Sequence, residues 1–402
     1  MSKNVNSMYL FVLMLISPLY VVRWSYFSIL PTTFLELIIW VGIIIWLIQK
    51  FQRQQWSLVR TKLDLPIILL IIASLVSIGL STQPMAALGI ARAYIWEPIA
   101  IFYIFRDMKK WLGDTVFRNH LVAGLVVAGV WMSLLGISQK FFGWFIITSH
   151  QANRAHAVFN NGNALALFLG PIISICIAKL FDLNFKKSWK TVILVVSIIL
   201  MNTAVVLSDS LGGILTLVAF MGILGVYFVS KRLRRREVFW NWMGTLLVLS
   251  GLLGTLFLLG YSEKNARATD NPWVREAGTA SVRICLWQGT YRLLKDNWLT
   301  GVGLSGFKES YAQFYATCDA EPLEYPHNFT MTIWAELGLL GLISFYWILI
   351  SIALSSQKVF SPLIRWGIVL FLTAIVTHGL VDIPYFKNDL SLIFWVIASF
   401  LV

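Results

Sequence analysis

Long apolar runs separated by short polar stretches fill almost the whole chain. A bilayer core about 30 Å thick needs about 20 apolar residues per spanning helix, and about twelve runs meet or approach that length. They cover residues 8–22, 31–49, 65–81, 86–105, 119–139, 163–180, 190–207, 211–229, 240–260, 329–353, 362–378 and 389–402. Most of the stretches between them are short. One longer polar stretch runs from Lys140 to Gly162, and the largest, 261–328, separates the ninth and tenth runs. The pattern predicts an all-α polytopic membrane protein, residues 1–402 forming one integral membrane domain with a single large loop inserted at 261–328.

That loop does not read as a linker. Val282, Cys285, Leu286, Gly289 and Leu293 fall near helical spacing, and Asp296-Asn297 followed by Gly301-Val302-Gly303 reads as a helix stop and a turn. A second amphipathic piece is expected over 307–315. Aromatic residues recur throughout, including Trp273, Trp287, Trp298 and Tyr315.

Composition agrees with the pattern. Hydrophobic residues make up 58% of the chain and charged residues 13%, and mean hydropathy is +0.75. A soluble protein of this length has no interior able to hide so much apolar surface. The net charge of +13 suggests nucleic acid until the cations are placed. Lys50, Arg53, Arg60 and Lys62 follow the second run; Arg106, Lys109, Lys110 and Arg118 the fourth; Lys186, Lys187 and Lys190 the sixth; Lys231 to Arg236 the eighth; Lys358 and Arg365 the tenth. Every even-numbered run thus ends in a basic loop, the positive-inside pattern. The termini are expected on the cytoplasmic side, the 261–328 loop on the outer side, and no nucleic-acid partner is expected. The phospholipid bilayer is the implied surrounding.

Few polar groups remain to carry chemistry. His327, in Tyr325-Pro326-His327-Asn328, stands where the large loop enters a membrane helix. A helix start disfavours an imidazolium, so the ring is biased toward its neutral, basic form. Such a ring can take a proton from a hydroxyl beside a lipid-borne substrate. It can equally be a residue comfortable at the interface. Arg283 and Trp287 share a helix face at i, i+4, where a guanidinium suits a diphosphate or simply lies over the indole. Arg154, in the 140–162 stretch, is a second phosphate candidate. Arg92 and Glu97 lie inside the fourth run, where an ionisable group costs about 2.5–3.5 kcal/mol on insertion scales, so partners or function are implied. Five residues apart, they are not expected to share a helix face, and partners on other helices are needed. Glu336, nine residues beyond His327, is out of phase with it.

No metal site is assigned. His150 and His156 lack a paired carboxylate, and Asp319, Glu321 and Glu324 read as a solvated acidic loop. Cys285 and Cys318 share the large loop, so a disulfide is open. No phosphate-binding glycine loop, nucleophile elbow or Cys-x-x-Cys pair appears, and no cofactor is expected.

Several of these segments together resemble the family of O-antigen ligases and polymerases. Arg283-Ile284-Cys285-Leu286-Trp287, Gly301-Val302-Gly303, His327-Asn328 and Glu336-Leu337-Gly338 with Gly341 follow in the family's order. Arg154 to Asn163 and His378-Gly379-Leu380-Val381-Asp382 with Asn388-Asp389 are also similar. One position departs: Ser208-Asp209-Ser210-Leu211 carries leucine where the family has arginine in a Ser-Arg-Gly turn. The resemblance implies a glycosyltransferase in the bacterial inner membrane with a periplasmic active site. The donor would be a glycan on undecaprenyl diphosphate and the acceptor a lipid or glycan hydroxyl. His327 would be the base and Arg283 the stabiliser of the leaving diphosphate. Arg154, Asn163, Ser210, Trp287, Asn328, Arg92 and Glu336 would contact substrate, and no metal is implied. A ligase passes the glycan to a separate acceptor; a polymerase joins lipid-linked repeats, and the motifs do not separate them. A transporter or flippase is the reading from another class, and would need matched broken helices in the two halves.

Overall fold

The computed structural model describes residues 3–26, 30–145, 154–232, 279–316, 323–355 and 361–402, with a few positions between 243 and 251. The helices α1 (Lys3–Ile16), α2 (Phe34–Arg53), α3 (Asp64–Leu80), α4 (Pro84–Ala91), α5 (Glu97–Leu112), α6 (Asp114–Phe142), α7 (Gly162–Asp182), α8 (Trp189–Leu207) and α9 (Leu211–Arg232) precede the large loop. Within it lie α10 (Thr279–Asp296) and the short α11 (Phe307–Ser310); α12 (Phe329–Ser355), α13 (Pro362–Gly379) and α14 (Asn388–Leu401) follow. Among the described residues the exception to an all-α chain is a hairpin of β1 (Arg23–Tyr26) and β2 (Leu30–Thr33), antiparallel with Arg23 opposite Thr33.

Nine helical stretches among the described residues are long and apolar enough to cross a membrane, and α3 and α14 are shorter apolar helices. α4 and α5 count as one of the nine, because a π turn, Arg92–Trp96, joins them into a continuous helix over Pro84–Leu112. The expected run at 240–260 falls mostly outside the described residues, so eleven of the twelve runs correspond to described helices.

Burial sorts the helices. α7 and α13 pack against each other in the centre and are almost wholly enclosed. α8, by contrast, exposes Val192, Ile199 and Val206, and α2 exposes Leu37, Trp40 and Ile44. Apolar side chains facing outward in rows are what a lipid-facing helix presents. The C-terminal ends of α2, α5, α7 and α9 carry Lys50, Lys109, Lys179 and Lys231, and a cavity of about 420 Å³ at that end is lined by Arg60, Lys62 and Arg106. The starts of α7, α9, α12 and α14 lie at the opposite end of the bundle, away from the basic loops.

α12 is broken. Gly338 has φ +67° and ψ −173° inside it, and the carbonyls of Leu299 and Thr300 stand 2.7 Å from where a Cβ would be. The main-chain partners lost at the break come from the loop: Leu339 N donates to Leu299 O (2.9 Å) and Val302 N to Ala335 O (2.8 Å). Gly301 (φ +64°) and Gly303 (φ +84°) supply the left-handed turns this approach needs. Two motifs far apart in sequence, Gly301-Val302-Gly303 and Glu336-Leu337-Gly338, are therefore one joint. Ser77 of α3 and Ser81 just past its end close it, Ser77 Oγ accepting from Leu304 N (2.7 Å) and Ser81 Oγ donating to Leu304 O (2.7 Å).

Candidate active site

Pro326 and His327 end the loop and Asn328 caps α12. Asn328 Oδ1 accepts from Met331 N (3.1 Å), satisfying an end donor of the helix, and its Nδ2 donates to Leu380 O (3.0 Å) at the end of α13. On the other flank, Trp287 Nε1 donates to Pro326 O (2.9 Å). Pinned on both sides, His327 adopts φ +50°. That conformation costs a non-glycine residue on the order of 1–3 kcal/mol and persists only where its surroundings enforce it.

The strained backbone aims the ring at Asp382, with Nδ1 3.1 Å from Oδ1. Burial alone would raise the Asp382 pKa, but the hydrogen bond from His327 and the neighbouring His327, His378 and Lys387 side chains hold it well below the usual carboxylate range. An ionised carboxylate only accepts, so Nδ1 carries the proton toward Asp382 and Nε2 is left as the basic nitrogen. His327 itself is about one third exposed, against 10% for the Asp382 side chain. A buried orienter behind a half-exposed imidazole is the arrangement of a general base and its positioning residue.

A second strained turn stands nearby. Between α8 and α9 Asp209 has φ +51°, and Arg154 grips the turn: Nε donates to Ser208 O (2.8 Å), and Nη2 to Asp209 O (3.0 Å) and Asn163 Oδ1 (3.2 Å). Ser210 Oγ accepts from Gly213 N (3.2 Å), capping α9. Leu211 is exposed. The turn reaches the His327 centre through Gly212, where an added Cβ would lie 2.3 Å from the His378 ring. His378 is buried and lies one turn before Asp382, whose N–H bonds back to His378 O (2.9 Å). Arg283 is half-exposed on α10, one turn before buried Trp287.

His327, Asn328, Trp287, Arg283, Arg154, Asn163 and Ser210 thus belong to four neighbouring segments around the start of α12 and the end of α13. Glu336 and Arg92 lie apart from these segments. Glu336 is fully buried and accepts from Ser305 N (2.6 Å) and Phe307 N (3.3 Å), fastening the loop beside the α12 break. Arg92 pairs with Glu36 (2.6 Å) and with Glu97 (3.4 Å). Partners on other helices were expected; the Glu97 contact was not, because five residues do not share a face at 3.6 residues per turn. The π turn Arg92–Trp96 changes that arithmetic, its i→i+5 bonding putting Glu97 N on Arg92 O.

His156 is buried, its Nδ1 2.9 Å from Phe159 O, and burial lowers its basicity. His150, Asp319, Glu321 and Cys318 lie outside the described residues; Glu324 is exposed and paired with Lys308. Cys285 is disulfide-bonded and Cys176 is free. Among the described residues no group of three or more His, Cys, Asp or Glu is placed to hold a metal ion.

The family model described as O-antigen ligase matches residues 196–346. Residues 196–346, a little over a third of the chain, are thus similar to that family. Members of this family are glycosyl-transferring enzymes of ligase or polymerase type. The matched stretch contains Ser210, Arg283, Trp287, His327, Asn328 and Glu336. Arg154, Asn163, His378 and Asp382 lie outside it, and the fold brings them to it. A search of curated proteins finds no similar sequence.

Asp382 is the residue whose role sequence reasoning missed. It stood in the family-like His378 to Asp382 segment, but 55 residues separate it from His327, and no local spacing marks a hydrogen bond across two helices.

Proposed function

We propose that this protein transfers a glycan from undecaprenyl diphosphate to an acceptor hydroxyl at the periplasmic face of the inner membrane. The single observation that carries the reading is the His327–Asp382 pair, set in a strained loop beside arginines. The acceptor O–H gives its proton to His327 Nε2. Its oxygen forms a bond to the anomeric carbon while the bond from that carbon to the diphosphate oxygen breaks, the electron pair leaving with undecaprenyl diphosphate. Arg283 faces the charge growing on that group. Arg154 acts from one step back, fixing the Ser208–Ser210 turn with Asn163, while Asn328 and Trp287 hold His327 in place. With guanidinium charge at the diphosphate, the scheme invokes no metal ion. The basic loops at the opposite end of the bundle favour cytoplasmic termini.

The test is transfer in vitro from undecaprenyl diphosphate glycan, with a separate lipid acceptor and a second lipid-linked repeat offered in turn. Preference for the first makes the enzyme a ligase, for the second a polymerase. Equal turnover by wild type and His327→Ala rejects the mechanism. Labelling of Ser305→Cys from the cytoplasmic side rejects the topology.

A further inference from the structure

A second polar pocket opens at the same end of the bundle, on the other flank of the His327 loop. Its volume is about 390 Å³. Arg23, Thr33, Glu36, Arg92, Tyr94 and Asn388 supply its polar wall, and Met85 and Ile90 its apolar side. The wall is built rather than incidental. Glu36, 3% exposed, accepts from Asn388 Nδ2 (2.7 Å), from Arg92 and, more weakly, from Thr33 N (3.4 Å) in a capping box. Glu97 adds a carboxylate to Arg92 and holds Trp40 Nε1 (3.0 Å), yet its buried Oε2 lacks a partner, as does Oδ1 of buried Asp389 beside Asn388. Tyr94 packs edge-on against Phe386, and Phe386 against Tyr325, two residues before His327. One aromatic layer separates this pocket from the catalytic loop, and the Arg154 turn lies on the α9–α13 flank instead.

The chemistry of the wall differs from that of a diphosphate site. Arg92 is matched by Glu36 and Glu97, and the other guanidinium, Arg23, lies over the Tyr20 ring, so the wall mixes charges of both signs rather than presenting cations alone. What it presents is a mixture of guanidinium, carboxylate, amide and hydroxyl groups beside an apolar surface. That mixture suits a polyhydroxylated ring, whose hydroxyls both donate and accept and whose C–H faces pack on apolar surface. We infer that this pocket binds a saccharide of the acceptor, anchoring the acceptor beside the His327 loop while the donor diphosphate occupies the arginine flank. The assignment rests on the transferase reading above.

Gly89 gives a clean way to block it. It lines the pocket from α4, an added Cβ there meets nothing within 4 Å, and its φ is ordinary for a helix. Gly89→Phe therefore fills the pocket and removes a helix-interior glycine without crowding the core. The full chain in lipid nanodiscs is exposed to dodecyl maltoside bearing a diazirine on the sugar, and in parallel to dodecyl phosphate bearing the same group. The maltoside is expected to label the Pro84–Ala93 segment, and Gly89→Phe to cut that labelling about tenfold. In the transfer assay Gly89→Phe is expected to raise the acceptor KM about tenfold, with the donor KM unchanged. Undiminished labelling and kinetics in Gly89→Phe, or better capture by the phosphate probe, overturn the assignment. Labelling that responds to Gly89→Phe in a protein without transferase activity keeps a saccharide pocket but overturns its acceptor role, and separates that failure from failure of the pocket itself.

Discussion

Two acid–base pairs in this molecule look alike and behave as opposites. At the basic end, Lys50 and Asp107 meet at 2.8 Å with both side chains under 5% exposed. Lys50 also donates to Ser57 O (2.7 Å), Asp107 accepts from Trp46 Nε1 (2.8 Å), and the Trp46 ring lies under the ammonium. Every strong group there has a partner, and both residues sit in ordinary helix. His327 and Asp382 meet at 3.1 Å, but one ring edge is open and the backbone holding it is left-handed. The first pair ties α2 to α5. The second leaves one ring edge exposed at the cost of local strain. A paired charge in a membrane protein is therefore not a sign of function; an oriented group with a spare valence on a strained backbone is.

His327→Ala separates the two pairs most sharply: transfer is expected to fall by about 10²–10⁴-fold, the contribution of a positioned general base, with little change in melting temperature. Nearly as large, Asp107→Ala is expected to destabilise the bundle by about 3–5 kcal/mol, since it leaves Lys50 buried without its carboxylate. Denaturation in detergent reads that loss, and transfer per folded molecule should hold; a drop in turnover without a drop in stability erases the contrast. Gly338→Ala is expected to cost about 1–3 kcal/mol, from a left-handed backbone and a clash with Leu299 and Thr300, seen as a lower melting temperature. The smallest effect is in pH. Asp382 is depressed in the folded state, so the stability it contributes is present above the ordinary carboxylate range and is lost as pH falls through and below it. Wild type should lose more stability than Asp382→Asn between neutral pH and pH about 3; parallel losses contradict the assigned charge.

How much of this was legible in the sequence follows from what each feature depends on. The apolar runs, the α10 helix ending at Asp296 and the piece at 307–315 were readable, because each rests on spacing within one segment. The β1–β2 hairpin was not, since residues 31–33 were absorbed into an apolar run. Arg92 and Glu97 were misjudged as facing apart because a π turn is invisible to a 3.6-residue period. Among site residues, Arg154 and Asn163 stood in one stretch and do meet, whereas Arg154's hold on the Ser208–Ser210 turn and Asp382's hold on His327 arise only when distant helices pack.

The break in α12 has a bearing on evolution and engineering. Because Leu299 to Val302 complete the main-chain bonding of Ala335 and Leu339, the segment after α10 and the membrane helix that follows it are halves of one fitting. Exchanging the large loop between relatives as a cassette that stops at His327 would leave the recipient helix with a gap cut for a foreign key. A transplant that carries the chain through Gly341 brings lock and key together, so specificity borne by this loop should travel only with the helix that receives it.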